Sequence, residues 1–334
     1  MTESIHLIAA CGTGMGTLAC GLKEMGYSVT GSDLHVYPPM SDFLKAHGIH
    51  LFEGFKPGHL SHRPDLVIIG NAVSRDNPEA AAVIDNGMQY LSMPQAVNRF
   101  LAHDKHVVMV TGTHGKTTTS SIMAHILVEA GLDPSFMIGG ILKNYDSSFR
   151  IGQGKYMVIE GDEYDTAFFD KGPKFMHYHP DITIVTGIEF DHADIFDDVE
   201  QIKKVFSDMI IKNKENSLFI TFNESEHLGQ VLLQSGVNPL FYGPGANWSF
   251  TDYTPRQMIS EFTVKGPENE SLIVHTALPG EHNANNIVAC IAAAKDIGVS
   301  DQVITQALTS FQGIKRRQEI RGIRQGITVM DDFA

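Results

Sequence analysis

The run TGTHGKTTT over residues 111–119 concentrates more potential chemistry than any other stretch of this 334-residue chain. Gly112 and Gly115 free the backbone to turn N–H groups inward on phosphate oxygens, and a helix opening at Lys116 adds partial positive charge there. Lys116 supplies a mobile cation for β- and γ-phosphates, and the Thr117 hydroxyl suits Mg²⁺. Thr113, His114 and Thr118 complete the loop. Val110 stands where the general phosphate-loop pattern has its first glycine. A solvated turn with a helix cap is the plainer alternative. The apolar run before the loop and the helix-like stretch after it favour phosphate binding.

Two acidic segments offer partners for a metal on that phosphate: EGDEYD over 160–165 and EFDHAD over 189–194. Each follows an apolar strand-like run, and parallel sheets place ligand-binding groups at such strand ends. Carboxylate oxygens suit Mg²⁺, which keeps waters and bridges phosphates. Acidic loops merely solvated at a sheet edge are the competing reading. Near the N-terminus, AACGTGMG over 9–16 joins the first strand-like run to the first helix-like one, and Gly31-Ser32-Asp33 ends the next strand. This is a dinucleotide-type turn in which the third glycine of the usual pattern falls on Thr17. A dehydrogenase is one reading of it. A nicotinamide enzyme, however, has no use for a second phosphate loop with Mg²⁺ ligands. Two phosphate sites in consecutive domains suit an enzyme that spends ATP on a substrate that is itself a nucleotide. Isolated histidines such as His62 and His227 read as surface residues.

The elements that must position these groups follow from hydrophobic periodicity. Apolar runs at 5–10, 27–33 and 65–70 alternate with helix-like stretches, the first at 14–26 with Leu18, Leu22 and Met25 on one face. Such alternation means a parallel sheet covered on both faces. A second unit starts with a strand at 106–111, a helix near 117–130, and strands at 156–160, 181–186 and 218–222. Shorter alternating runs over 242–278 suggest a small antiparallel patch, closed by helices at about 282–298 and 300–311. Boundaries are expected near residues 104 and 313. The tail from Gly313 holds two strand-like runs that resemble the start of a βαβ unit. Either they open a third domain or they pack onto the second, since an uncovered strand pair is not a domain.

Composition excludes several classes. Apolar residues are 43% and charged residues 19% of the chain, unlike a disordered chain, a collagen or a coiled coil. With 25 Lys+Arg against 39 Asp+Glu the net charge is −14, which disfavours nucleic acid and anionic lipid as partners. Cys11, Cys20 and Cys290 show no CxxC spacing, arguing for a reducing compartment and against a disulfide scaffold or zinc site. No signal peptide is recognisable, and the longest apolar runs fall far short of the roughly 20 residues of a membrane span. A cytoplasmic protein without a membrane partner is expected.

Five motifs in order, namely TGTHGKTTT, the strand-end Glu160, EFDHAD, GEHNANN over 280–286 and KRRQEIRG over 315–322, resemble the ATP-dependent Mur ligases of peptidoglycan synthesis over essentially the whole chain. The resemblance implies an α/β protein: a UDP-sugar-binding Rossmann-like domain over 1–104, a P-loop ATPase domain over 105–313, and at 314–334 the start of a truncated third domain. It implies that Gly112, Thr113, His114, Gly115, Lys116, Thr117 and Thr118 hold the ATP phosphates. Mg²⁺ would lie on Thr117, Glu160 and His192, with Glu163 and Asp191 nearby; Lys116, Glu160 and His192 would form the catalytic set. His282, Asn283 and Asn286 would contact adenine, Arg317 the phosphates and Asp332 the ribose. Gly12, Thr13, Gly14, Met15, Gly16, Ser32, Asp33, Asn71 and Ala72 would face the UDP-sugar. Several members carry a carbamoylated lysine whose place falls here on Phe206 or Ser207, so none is expected. VYPPMSDFL, IIGNAVSRDNPE, IEGDEYDTAFFDK and FDHADIFDD look most like the branch that joins UDP-N-acetylmuramate to the murein tripeptide L-Ala-γ-D-Glu-meso-diaminopimelate. The branch using free L-alanine is the nearest rival, and a nucleotide-binding module without catalysis is another. Lacking its third domain, the chain alone is expected to be inactive.

Overall fold

The computed structural model describes residues 3–190, 196, 198–256, 259–267 and 270–332. They divide into two compact units, Met1–Lys105 with Asp162–Tyr178, and His106–Gly161 with His179–Ala334.

In the first unit β1 (Ser4–Ile8), β2 (Ser28–Asp33), β3 (His50–Glu53), β4 (Leu66–Ile69) and β5 (Tyr90–Ser92) run parallel in the order β3-β2-β1-β4-β5. Every residue of β4 is buried, as a strand covered on both faces requires. The covering helices are α1 (Thr13–Glu24), α2 (Met40–Ala46), α3 (Pro78–Asp85) and α4 (Met93–Phe100). Leu18 and Leu22 of α1 are fully buried, whereas Met25, assigned to the same face by spacing, is the helix C-cap and 42% exposed. Asn77 starts α3: its side-chain oxygen accepts the N–H groups of Glu79 (2.9 Å) and Ala80 (3.1 Å), with Pro78 in the first helical position.

The second unit is built on a sheet of order β14-β13-β12-β6-β9-β7-β8. Its strands are β6 (His106–Thr111), β7 (Ser135–Leu142), β8 (Ser147–Arg150), β9 (Tyr156–Gly161), β12 (Ile182–Val185), β13 (Leu218–Phe222) and β14 (Leu240–Tyr242). All pairings are parallel except β7 with β8. Between β9 and β12 in the chain, β10 (Asp165–Ala167) and β11 (Asp170–Pro173) form an antiparallel ribbon belonging to the first unit. The acidic run at 160–165 is thereby split after Gly161.

Helix α5 (Lys116–Glu129) is buried from Thr118 to Leu127. It packs on the sheet and against α8 (Glu281–Ile297) and α9 (Asp301–Ser310), while α6 (Val199–Asn213) pairs with α7 (Glu226–Ser235). Close approach of α8 to α5 is possible because its core face is small: Ala289, Ala293 and Ala294 are fully buried, and the Cys290 thiol lies 3.3 Å from the Thr119 carbonyl. Phe206 of α6 is buried in the core. The expected antiparallel patch is β15 (Ser249–Pro255), β16 (Ser260–Lys265) and β17 (Ser271–Thr276).

The tail differs from a parallel βαβ start. Here β18 (Glu319–Arg324) and β19 (Ile327–Asp331) pair antiparallel with each other. Just before them the chain is stitched to the turn after β7. Gln312 N–H donates to Asn144 Oδ1, Lys143 N–H to the Gly313 carbonyl and Lys315 N–H to the Ile141 carbonyl (2.9–3.0 Å), and Leu142 forms a bridge with Ile314. Ile314 also packs on Gly140, where an added Cβ would lie 2.6 Å from Ile314 Cγ2 and 3.1 Å from Thr117 Cγ2. Among the described residues no helix is long and apolar enough to cross a membrane.

Candidate active site

Strand β6 lies between β9 and β12, so three C-terminal strand ends converge on one place. Val110 pairs with Glu160, and Thr111 with both Gly161 and Val185. The chain leaves β6 through Gly112, whose φ of +124° and surroundings demand glycine: a Cβ would stand 2.3 Å from Thr186 Oγ1 and 2.9 Å from the Gly187 carbonyl. The loop is then laced to the segment after β12. Thr113 N–H donates to the Gly187 carbonyl (3.0 Å), Glu189 N–H donates to Thr113 Oγ1 (2.9 Å), and Thr186 Oγ1 donates to the His114 carbonyl. The exposed His114 ring lies 3.5 Å from the Glu189 carboxylate. Gly115 is the left-handed N-cap of α5. From the first residue of that helix, Lys116 Nζ folds back to donate to the carbonyls of Gly112 (2.7 Å) and Thr113 (3.3 Å).

Glu160 faces this helix start. Its carboxylate accepts from Gly139 N–H (2.8 Å), Ser120 Oγ (3.2 Å) and Thr117 Oγ1 (3.3 Å). Burial pushes the carboxyl above its usual range, and Gly139, Lys116, Thr117 and Ser120 oppose that only in part. A desolvated carboxylate beside a threonine hydroxyl at a phosphate loop is a fitting donor pair for a hard divalent cation. Thr117 and Glu160, two of the three expected metal ligands, are therefore brought together. The third, His192, and its neighbour Asp191 lie outside the described residues. Among the described residues no set of three histidine, cysteine, aspartate or glutamate side chains gathers to hold a metal. Glu163 is buried in the first unit.

Opposite the loop stands the start of α8. Asn286 is pressed on Gly115, where a Cβ would lie 3.0 Å from Asn286 Oδ1. Asn283 is buried and donates from Nδ2 to the Pro279 carbonyl (2.7 Å), while His282 is exposed. Arg317 is exposed ahead of β18, and Asp332, beyond β19, accepts from Gln318 N–H (3.2 Å).

In the first unit the glycine turn crosses the C-terminal ends of β1 and β2. Ala10 N–H donates to the Ser32 carbonyl (2.9 Å) and Cys11 N–H to Asp33 Oδ2 (2.8 Å). Gly12, Thr13, Asn71 and Ala72 are exposed and Gly14 is half-buried. Met15 and Ser32 are instead buried, and Gly16 packs so tightly that a Cβ would meet the Met40 sulfur at 2.5 Å. The Ser32 hydroxyl donates to Glu79 Oε2 at 2.6 Å, so the Ser32 side chain is turned into the interior at the strand tip.

Glu79, missed in the sequence, is fully buried at the start of α3. Its Oε1 lies 3.0 Å from His59 Nδ1 and 3.4 Å from His6 Nε2. His6 Nδ1 in turn meets Thr30 Oγ1 at 2.8 Å. Sequence gave only one hint, a carboxylate two residues after a helix cap. Burial holds His6 below its ordinary value, with Glu79 acting in the opposite direction. The same holds for His125 of α5, whose ring nitrogens lie 2.6 Å from Tyr145 Oη and 2.9 Å from Ser310 Oγ. Both imidazoles bind a proton more readily when the chain is unfolded. Their contribution to stability should therefore be full above pH 6.5 and fall as the pH drops toward 5.5, with uptake of up to about two protons on unfolding, set against the proton that the raised Glu160 carboxyl releases. Urea unfolding across that range checks this, and His125→Gln should reduce the slope by up to about one proton.

Models of Mur ligase domains match each of the two units. Residues 110–294 match the model of the Mur ligase middle domain, and residues 4–105 that of the Mur ligase family catalytic domain. Over 99% of its length the chain is 42% identical to UDP-N-acetylmuramate–L-alanyl-γ-D-glutamyl-meso-2,6-diaminoheptandioate ligase of Haemophilus influenzae, covering 73% of that protein. The chain belongs to the Mur ligase family. Among solved structures, the UDP-N-acetylmuramate:L-alanyl-γ-D-glutamyl-meso-diaminopimelate ligase of Neisseria meningitides superposes with a TM-score of 0.88 at 36% identity, over 95% of this chain and 100% of that one. A UDP-N-acetylmuramate–L-alanine ligase of Syntrophomonas wolfei is 32% identical over 99% of the chain and 70% of its own length. As a Mur ligase the protein is an ATP-dependent ligase.

Proposed function

We infer that this Mur ligase joins UDP-N-acetylmuramate to the tripeptide L-Ala-γ-D-Glu-meso-diaminopimelate at the expense of ATP, in the cytoplasmic recycling of peptidoglycan. One observation carries the choice of amine: over the same 99% of the chain, identity is 42% to a tripeptide-using relative and 32% to an L-alanine-using one. In this reading residues 1–104 hold the UDP-sugar, residues 105–313 hold ATP, and residues 314–334 open a domain that presents the peptide.

A carboxylate is a poor electrophile at neutral pH. Transfer of the γ-phosphoryl group to the lactyl carboxylate gives an acyl phosphate, and attack by the L-alanine amine forms the amide and expels phosphate. The chain's own share is positioning and charge neutralisation. Loop N–H groups and Lys116 orient the phosphates and oppose the repulsion between carboxylate and γ-phosphate. Thr117, Glu160 and His192 would hold Mg²⁺, which when bound supplies further positive charge at the transferring group. Asn283, Asn286 and His282 line the nucleoside side, with Arg317 and Asp332 approaching from the tail. Gly12, Thr13, Gly14, Asn71 and Ala72 face the UDP-sugar.

The test is an amine-donor comparison on the complete gene product with ATP and UDP-N-acetylmuramate. Phosphate release with the tripeptide at least about tenfold faster than with free L-alanine is expected; the reverse preference would make it an L-alanine ligase.

A further inference from the structure

The small antiparallel sheet β15–β17 holds no residue of the site described above, yet one of its side chains reaches the start of α8. Strand β15 carries a bulge: Thr251 pairs with Thr263 and Thr254 with Glu261, so Asp252 and Tyr253 together face Phe262. Asp252 takes a positive φ of 59° to make it. Bulges of this kind re-aim a side chain out of the regular alternation. Here the re-aimed residue is Tyr253. Its ring packs on Phe250 and Phe262, and its hydroxyl lies 3.1 Å from the buried Ser260 Oγ. The same hydroxyl accepts the N–H of Gly280 at 2.7 Å.

Gly280 is the N-cap of α8 and adopts φ +90°. A Cβ there would lie 2.5 Å from His282 Cε1 and 2.7 Å from His282 Nδ1, so the imidazole sits directly over the bare Cα. The preceding carbonyl, of Pro279, is held by Asn283, and one further turn along α8 Asn286 abuts Gly115 of the phosphate loop. The Pro279–Gly280 peptide region is thus fixed from the helix by Asn283 and from the sheet by Tyr253.

We propose that Tyr253 is a positioning residue for the nucleoside part of the bound nucleotide, acting through Gly280 and His282, and that delivering its hydroxyl is the task of the β15–β17 sheet. The proposal rests on the reading of the 111–118 loop as the triphosphate site. A nucleotide gripped at that loop by its phosphates extends past Asn286 toward the first turn of α8, where His282 is exposed. Without the tyrosine hydroxyl the Gly280 N–H loses its partner, and ordering the helix start falls to the ligand.

The test compares MgATP with magnesium tripolyphosphate, which has the phosphates and no nucleoside, by equilibrium titration of this chain. Tyr253→Phe keeps the ring packing. It should bind MgATP about fivefold more weakly, the worth of one hydrogen bond, and tripolyphosphate as the wild type does. Gly280→Ala, which drives a methyl group into His282, should weaken MgATP further and again spare tripolyphosphate. Thermal unfolding identifies folded variants. Unchanged MgATP affinity in both folded variants, or equal weakening of both ligands, overturns the role of Tyr253 while leaving the phosphate site standing. Wild-type protein that binds neither ligand overturns the triphosphate site and this proposal with it.

Discussion

Lys116→Ala should leave phosphate release from the complete gene product, supplied with ATP, UDP-N-acetylmuramate and tripeptide, at least about 10³-fold slower than the wild type. That is the scale of removing a pre-oriented charge from a transferring group. The side chain folds back over the loop, its ammonium anchored on the Gly112 and Thr113 carbonyls. Losing those two bonds costs the folded chain about 2–4 kcal/mol, so the variant's fold is checked by thermal unfolding before its activity is read. Among the described residues Lys116 is also the cation that lowers the Glu160 carboxyl toward its normal range. Its removal should push that carboxyl higher still, visible as a more alkaline Glu160 titration by carboxyl-selective NMR. Turnover within tenfold of the wild type would remove Lys116 from the chemistry.

Glu160→Gln should act in opposite directions on stability and on metal-dependent binding. In the metal-free chain the carboxylate is desolvated, and its folded-state affinity for a proton exceeds the unfolded one. Above pH 4.5 the folded state therefore bears a charge it holds poorly, and the destabilisation grows until that carboxyl is fully ionised. The neutral amide removes this cost while still accepting from Gly139 N–H. At pH 7–8 without magnesium the variant should melt about 2–4 °C above the wild type, a gap that closes as the pH falls toward 4.5. With magnesium present it should bind ATP roughly 10²-fold more weakly, because a cation loses its charged ligand. A variant that melts lower without magnesium and binds MgATP normally would show that Glu160 is a structural residue.

The strand–loop–helix junction at 111–118 was legible because its information is local: two glycines, a lysine and a threonine between a strand and a helix. Glu160 was legible for a related reason, since parallel pairing of β6 with β9 puts consecutive strand ends side by side. What sequence could not supply were partners from distant elements. Gly139 and Ser120 reach Glu160 only because β7 pairs beside β9 and α5 crosses them. The Glu79 network draws His6, Ser32 and His59 from three separate elements, and no spacing rule joins them. His62, read as a surface residue, is indeed exposed, although its ring lies 6.0 Å from that of His6. Met15 and Ser32 followed the glycine turn into the ligand-facing set by resemblance, but their side chains point into the core. The ribbon β10–β11 belongs to the first unit through non-local contacts that leave no trace in periodicity.

The stitch between the turn after β7 and residues 312–315 places Ile314 against Gly140, beside Thr117. The segment that enters β18 is therefore seated beside the Thr117 methyl group, in the first turn of α5. Any side chain at position 140 would have to displace either Ile314 or that methyl group, so the glycine keeps the two in register.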